Sequence, residues 1–227
     1  MSGHSKWATI KRKKAATDAK RGKIFTTIIK EITIAAREGG GDANSNPRLR
    51  QAVSNAKSAN MPLDNISRAI KKGTGELPGV SYEETSYEGY GPAGVAIMME
   101  CLTDNKKRTV AEIRHLITKY GGNLGENGSV SWMFDKKGQI TLKADGHDED
   151  TVFEAALEAG AEDFEADSDA FIISTDPANI MFVRDSLEEQ GYEVESANID
   201  MVPKNMQNVE NDKEQSVITL LEALEDH

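Results

Sequence analysis

The sequence predicts an α+β chain of several domains: an N-terminal three-helix bundle, an α+β middle unit and a ferredoxin-like unit. Three observations carry this. Residues 1–75 hold 16 Lys+Arg against 5 Asp+Glu, a net +11, whereas residues 76–227 hold 11 against 33, a net −22. Helical periodicity gives way to strand-like alternation after Leu77-Pro78-Gly79. From Gly138 to Met201 the chain matches itself at a shift of 31 residues. The formal charge of −11 therefore sums two unlike parts.

The first twenty residues, with Lys6, Trp7, Lys11, Arg12, Lys13 and Lys14, have little apolar periodicity and read as a basic arm. A helix is predicted from about Lys23. Its residues Ile24, Phe25, Ile28, Ile29, Ile32, Ala35 and Ala36 fall in one stripe about 140° wide. Gly39-Gly40-Gly41 stops it. Asn46-Pro47 is an N-cap followed by proline at the first helical position, opening a second helix with Leu49, Ala52, Val53 and Ala56 inward. Pro62 opens a third, with Leu63, Ile66, Ala69 and Ile70 inward and Gly73 at its end. Arg48, Arg50, Lys57, Arg68, Lys71 and Lys72 are assigned to exposed faces.

Strands are predicted at Tyr82–Tyr90 and Val95–Leu102, a helix at Lys107–Tyr120, and another strand at Ser129–Phe134. The 31-residue shift aligns Ile140 with Phe171, Leu142 with Ile173, Val152 with Val183 and Gly160 with Gly191. Each copy reads strand, helix, strand, and together they give the βαββαβ order of a ferredoxin-like fold. Val152, Phe153, Ala156 and Leu157 are taken as the inner face of the first copy's helix. A last helix is predicted around Val217–Leu224.

Several motifs are set aside. Gly89-Tyr90-Gly91-Pro92-Ala93-Gly94 spells G-x-G-x-x-G, but a strand follows it instead of the helix whose N-terminus would hold a pyrophosphate. It is read as a turn, and no cofactor is predicted. The acidic stretch 145–169 has eleven Asp+Glu and no Lys or Arg, yet no register places calcium ligands correctly. His4, His115, His147 and His227 show no ligand spacing with one another or with Cys101, so no metal is predicted. Cys101, alone in the chain, is read as a buried, inert thiol in a reducing compartment. No catalytic residues are assigned, and no enzymatic activity is predicted. Neither a membrane span nor a secretory signal is visible, which predicts a cytoplasmic chain.

The basic region remains as the candidate site. Lys6, Lys11, Arg12, Lys13, Lys14, Lys20, Arg21 and Lys23 are candidates for phosphate contacts, with Lys71 and Lys72 extending the track. Trp7 either stacks on an unpaired base or staples the arm onto the bundle. The predicted partner is nucleic acid, while the acidic domains suit a basic protein partner.

Several blocks carry a resemblance: Gly3-His4-Ser5-Lys6-Trp7, Asp18 through Phe25, Asn60-Met61-Pro62, Asp64-Asn65-Ile66, Arg68 through Gly73, and Tyr87 through Pro92. Asn105 through Arg108 and Gly121 through Gly125 belong with them. Over nearly its whole length the chain resembles the YebC/PmpR family. The resemblance implies three domains, at 1–77, at 78–135 with 204–227, and at 136–203, the ferredoxin-like domain being inserted into the middle one. It also implies a short strand after the acidic C-terminal helix. The sequence ends at His227, so either the natural chain is longer or the middle sheet lacks that edge. Functionally, it implies a DNA-binding transcriptional regulator or a ribosome-associated translation factor that binds ribosomal RNA. A protein-interaction scaffold built on the acidic domains is the rival from another class.

Overall fold

A computed structural model describes residues 18–167 and 169–227, with side chains from Gly22 onward except that of Asn211. The described chain divides into two compact units. One joins the residues up to Leu77 to Lys136–Val202, and the other joins Pro78–Asp135 to Pro203–His227.

The first unit begins with α1 (Asp18–Gly39), α2 (Pro47–Ser58) and α3 (Leu63–Gly73). Asn46 ties α1 to α2. Its side-chain oxygen accepts the Leu49 N–H at 3.1 Å, while its amide donates to the carbonyls of Ala35 (2.8 Å) and Gly40 (2.9 Å). A Cβ at Gly39 would lie 2.6 Å from the Asn46 amide nitrogen, so the glycine run is needed for close approach as well as for the left-handed turn at Gly40 (φ +84°). The bundle core is Ile32, Ala35, Ala36, Leu49, Ala52, Ala56, Met61, Ile66 and Ala69.

The bundle departs from three expectations. Leu63 is 70 % exposed rather than inward, because it sits at the first position of α3, ahead of the Ile66 and Ala69 stripe. In α1, burial is not confined to one stripe: Thr33 and Ile34 are buried along with Ile32, Ala35 and Ala36. The helix is also already formed at Asp18, ahead of Lys23, where the apolar pattern starts it.

The rest of this unit is β4 (Phe134–Lys143), α5 (Glu149–Glu158), β5 (Asp163–Ala166), β6 (Ala170–Thr175), α6 (Ile180–Glu189) and β7 (Val194–Pro203). The sheet order is β5-β6-β4-β7. Antiparallel registers pair Ile140 with Ile173 and Leu142 with Phe171 across β4 and β6. This is the ferredoxin-like arrangement. The internal duplication is a structural one: Val152 and Val183 are both fully buried, and Gly160 (φ +97°) and Gly191 (φ +92°) follow the ends of α5 and α6.

Phe153 and Leu157, expected inward, are 42 % and 49 % exposed. The α5 core stripe is Val152, Ala155, Ala156 and Ala159, about 100° wide at 100° per residue, and both side chains lie outside it. The outer edge of β7 is covered by α2. Gln51 and Asn55 donate to the Ala197 carbonyl at 2.9 and 3.0 Å, and Asn55 also donates to the Asn198 side chain at 2.8 Å. These amides satisfy the Ala197 carbonyl, an acceptor that an edge strand would otherwise leave open.

The second unit holds β1 (Glu83–Tyr90), β2 (Ala96–Thr103), α4 (Lys106–Lys119), β3 (Asn123–Leu124) and α7 (Asn211–Glu225). Its sheet order is β2-β1-β3. The G-x-G-x-x-G segment is a turn between β1 and β2, with one 3₁₀ turn at Pro92–Gly94. Ile97, Met99, Ile113, Ile117 and Leu220 form the core. Cys101 is half-buried against that core, not enclosed by it. α7 starts six residues before the apolar segment Val217–Leu224, with Asp212 and Glu214 in its first turn, where the helix dipole favours acids. Ser129–Phe134 is not a strand. It contains a 3₁₀ turn at Ser131–Met133, and β4 starts only at Phe134.

Candidate nucleic-acid interface

Among the positions singled out from the sequence, Lys6, Trp7, Lys11, Arg12, Lys13 and Lys14 lie outside the described residues. Lys20 and Arg21 lie in the first turn of α1, and their side chains are likewise outside the description. Lys23 is exposed one turn later. Lys71 and Lys72 are exposed in the last turn of α3.

α3 ends against α1. A Cβ at Gly73 would stand 2.5 Å from the Thr33 carbonyl oxygen and 3.2 Å from the Arg37 nitrogen. Lys71 and Lys72 thus share one end of the bundle with Arg37, in the last turn of α1. Both helices end there, so the two dipoles present negative poles that offset the positive charge. Lys23 is not brought to this cluster: it precedes Thr33 by ten residues, roughly 15 Å along the helix axis.

Arg48 departs from the expected exposed basic face. Its guanidinium forks onto Glu31 (2.7 and 3.1 Å) and reaches Glu38 at 2.8 Å, linking α2 to α1. Its pKa is raised, chiefly by the hydrogen bond to Glu31. The charge is consumed internally. Arg50, Lys57 and Arg68 do remain exposed.

A second construction, around Glu88 in β1, is missed by sequence reasoning. This side chain is only 6 % exposed, yet its Oε1 accepts the Gly128 N–H at 2.8 Å. Its Oε2 accepts the N–H groups of Val130 (2.7 Å) and Ser131 (2.8 Å). These backbone donors, that of Gly128 foremost, hold the carboxyl below its ordinary pKa and outweigh the opposing effect of burial. The Glu88 carbonyl accepts the Gly125 N–H, and the Tyr90 hydroxyl donates to the Ser129 carbonyl at 3.0 Å. Trp132, 65 % exposed, donates its indole N–H to the same carbonyl at 3.2 Å. A buried carboxylate therefore fixes a loop that presents an aromatic ring. The only trace in sequence is an acid inside the aromatic run Tyr87-Glu88-Gly89-Tyr90, with a Gly/Ser-rich stretch about forty residues on.

Among the described residues, no group of three His, Cys, Asp or Glu side chains is placed to hold a metal ion. No described helix is long and apolar enough to cross a membrane.

A family model described as the TACO1/YebC second and third domain matches residues 82–227, and one for the TACO1/YebC N-terminal domain matches residues 5–76. The chain belongs to the TACO1/YebC family. Members with similar sequences include a probable transcriptional regulatory protein of Desulforapulum autotrophicum, 58 % identical over all of this chain and 92 % of its own length. One from Geobacter sulfurreducens is 57 % identical, again over 100 % of this chain and 92 % of the relative. One from Syntrophus aciditrophicus is 59 % identical, over 100 % and 91 %. The family fold appears also in a crystal structure of a conserved hypothetical protein from Aquifex aeolicus. It is 47 % identical with a TM-score of 0.88, covering 92 % of this chain and 87 % of that one. The resemblance read from the sequence motifs and the mixed α+β architecture both hold.

Proposed function

We propose that this chain is a non-enzymatic regulator of gene expression that binds nucleic acid, with DNA as its target, through the basic arm and helical bundle. The carrying observation is the charge partition: +11 on residues 1–75 of a chain whose remainder is −22. A polyanion is attracted to the first part and repelled by the second, which orients the encounter. Lys6, Lys11, Arg12, Lys13, Lys14, Lys20, Arg21 and Lys23 take phosphates, Trp7 adds a ring, and Lys71 and Lys72 extend the contact. The name carried by the relatives, probable transcriptional regulatory protein, supports this reading.

Ribosomal RNA is the second reading, and one feature favours it. Trp132 offers an exposed ring whose N–H is already donated to Ser129. Such a ring suits stacking on an unpaired base, which duplex DNA does not present. Fluorescence anisotropy with duplex DNA and with a ribosomal RNA fragment, over a salt series, tests both. Deleting residues 1–23 should weaken binding and flatten the salt slope. Unchanged affinity and slope would overturn the assignment to the arm.

A further inference from the structure

We infer that the groove between α2 and α6 is a phosphate-binding site that seats the backbone of a nucleic-acid strand. The groove encloses about 380 Å³ and is walled by Arg50, Ser54, Lys57 and Ser58 of α2 and by Arg184 and Glu188 of α6. Three cations and two hydroxyls line it with the Glu188 carboxylate, and Asp185 pairs with Arg184, so the charge without a carboxylate partner among the described residues is that of Arg50 and Lys57. Lys, Arg and Ser are among the side chains that contact nucleic-acid phosphates.

Arg184 is the informative member. It is only 9 % exposed, and a buried guanidinium demands acceptors. Its Nε and Nη2 donate to Asp185, and its Nη1 meets only the Met181 sulfur at 3.7 Å. Glu188 stands 3.8 Å from Nε. Of the five N–H groups of an arginine, two have no acceptor among the described residues. On α2, Arg50 donates only to the Asn44 carbonyl at 3.4 Å, and neither Arg50 nor Lys57 has a carboxylate partner among the described residues. Arg48, two residues before Arg50 on the same helix, is instead paired with both Glu31 and Glu38.

The internal duplication isolates Arg184 further. At the 31-residue shift its counterpart is Phe153 on α5, and that of Glu188 is Leu157. The fold accepts an apolar residue at this helical position. A cation stands only in the copy beside α2. The groove walls are also held in place, since Gln51 and Asn55, on the same helix as Arg50 and Lys57, bond to β7 at Ala197.

This inference rests on the nucleic-acid reading above, and the test separates the two. The full chain is titrated by anisotropy against a fluorescein-labelled oligouridine strand and a mixed-sequence duplex DNA, across a salt series. An Arg50→Gln/Lys57→Gln variant, checked for native circular dichroism, should bind the better of the two probes about tenfold more weakly, with a salt slope lower by about one to two. Lys106→Gln/Lys107→Gln, on α4, removes the same charge elsewhere and should leave affinity and slope near those of the parent. A wild-type chain that binds neither probe would sink the nucleic-acid reading itself. Binding by the wild type with an unchanged groove variant would overturn the groove alone. So would an equal loss in the α4 control, because general charge would then account for it.

Discussion

Glu88 and Val130 are forty-two residues apart, yet the carboxylate of the first takes the backbone N–H of the second at 2.7 Å, in a buried hydrogen bond. Two further N–H groups converge on the same carboxylate, so Gly128–Ser131 is built around one charge. A Glu88→Gln substitution keeps the shape but turns an amide donor toward backbone donors. It should destabilise the protein by about 1–3 kcal/mol, measured by urea unfolding. The charge also sets a pH dependence. Because the folded pKa is lowered from 4.5, the stabilisation is fully present above that value and is lost as pH falls toward the folded one. Wild-type stability should therefore fall more steeply than that of Glu88→Gln as the solution is acidified below pH 4.5. Parallel curves would sink this account. In a Trp7→Phe background, Trp132 emission reports the loop directly.

Asn46 joins two helices through both ends of one amide. Asn46→Ala removes both the cap and the donors to the Ala35 and Gly40 carbonyls, and should cost about 2 kcal/mol or more. Asn46→Asp separates the two functions: the cap acceptor survives, while the donors to Ala35 and Gly40 are gone. Thermal melts should rank the wild type above the Asp variant. An Asp variant as stable as the parent would mean that the two carbonyls need no partner.

These two sites mark where sequence legibility ends. Asn46-Pro47 announces a helix start because capping is local, three residues from donor to acceptor. The duplication is legible because both copies bury the same positions, Val152 with Val183 and Leu142 with Ile173. The Glu88 site is illegible because its donors are main-chain groups, which every sequence carries. For the same reason Ser129–Phe134 reads as a strand: its residue types suit one, but the remote carboxylate takes the N–H groups of Val130 and Ser131 while local turns take those of Ser129, Met133 and Phe134. Arg48 looks like surface charge until the fold brings Glu31 and Glu38 to it. Of the basic candidates, Lys71 and Lys72 were recognisable as helix-end cations, but their neighbourhood with Arg37 depends on Gly73 meeting α1.

The narrow core stripe of α5 predicts a steep contrast between adjacent rows of one helix pair and sheet. Ile140→Ala and Ile173→Ala each empty a fully buried site and should cost about 2–5 kcal/mol. Leu157→Ser, on the exposed row, should change stability by about 0.5 kcal/mol or less. Chemical denaturation of the three variants checks the ranking. A large loss at Leu157 would restore the wider inner face that periodicity alone suggested.

Arg48 and the arm separate fold from binding. Arg48→Met keeps the aliphatic stem and loses the fork onto Glu31 and the contact to Glu38. The pair is about one-third exposed, so solvent screening limits its worth, and the loss should be about 0.5–1 kcal/mol. Nucleic-acid affinity and its salt slope should scarcely move, because this cation is already neutralised within the bundle. Lys71→Gln/Lys72→Gln should do the reverse: stability changes by less than about 1 kcal/mol through the lost dipole contacts, while the salt slope falls by about one to two. Measuring denaturation and anisotropy on both variants decides the matter. If Arg48→Met lowers the slope as much as the lysine pair does, charge on this bundle acts as a diffuse field, and the assignment of particular residues to phosphate contact fails.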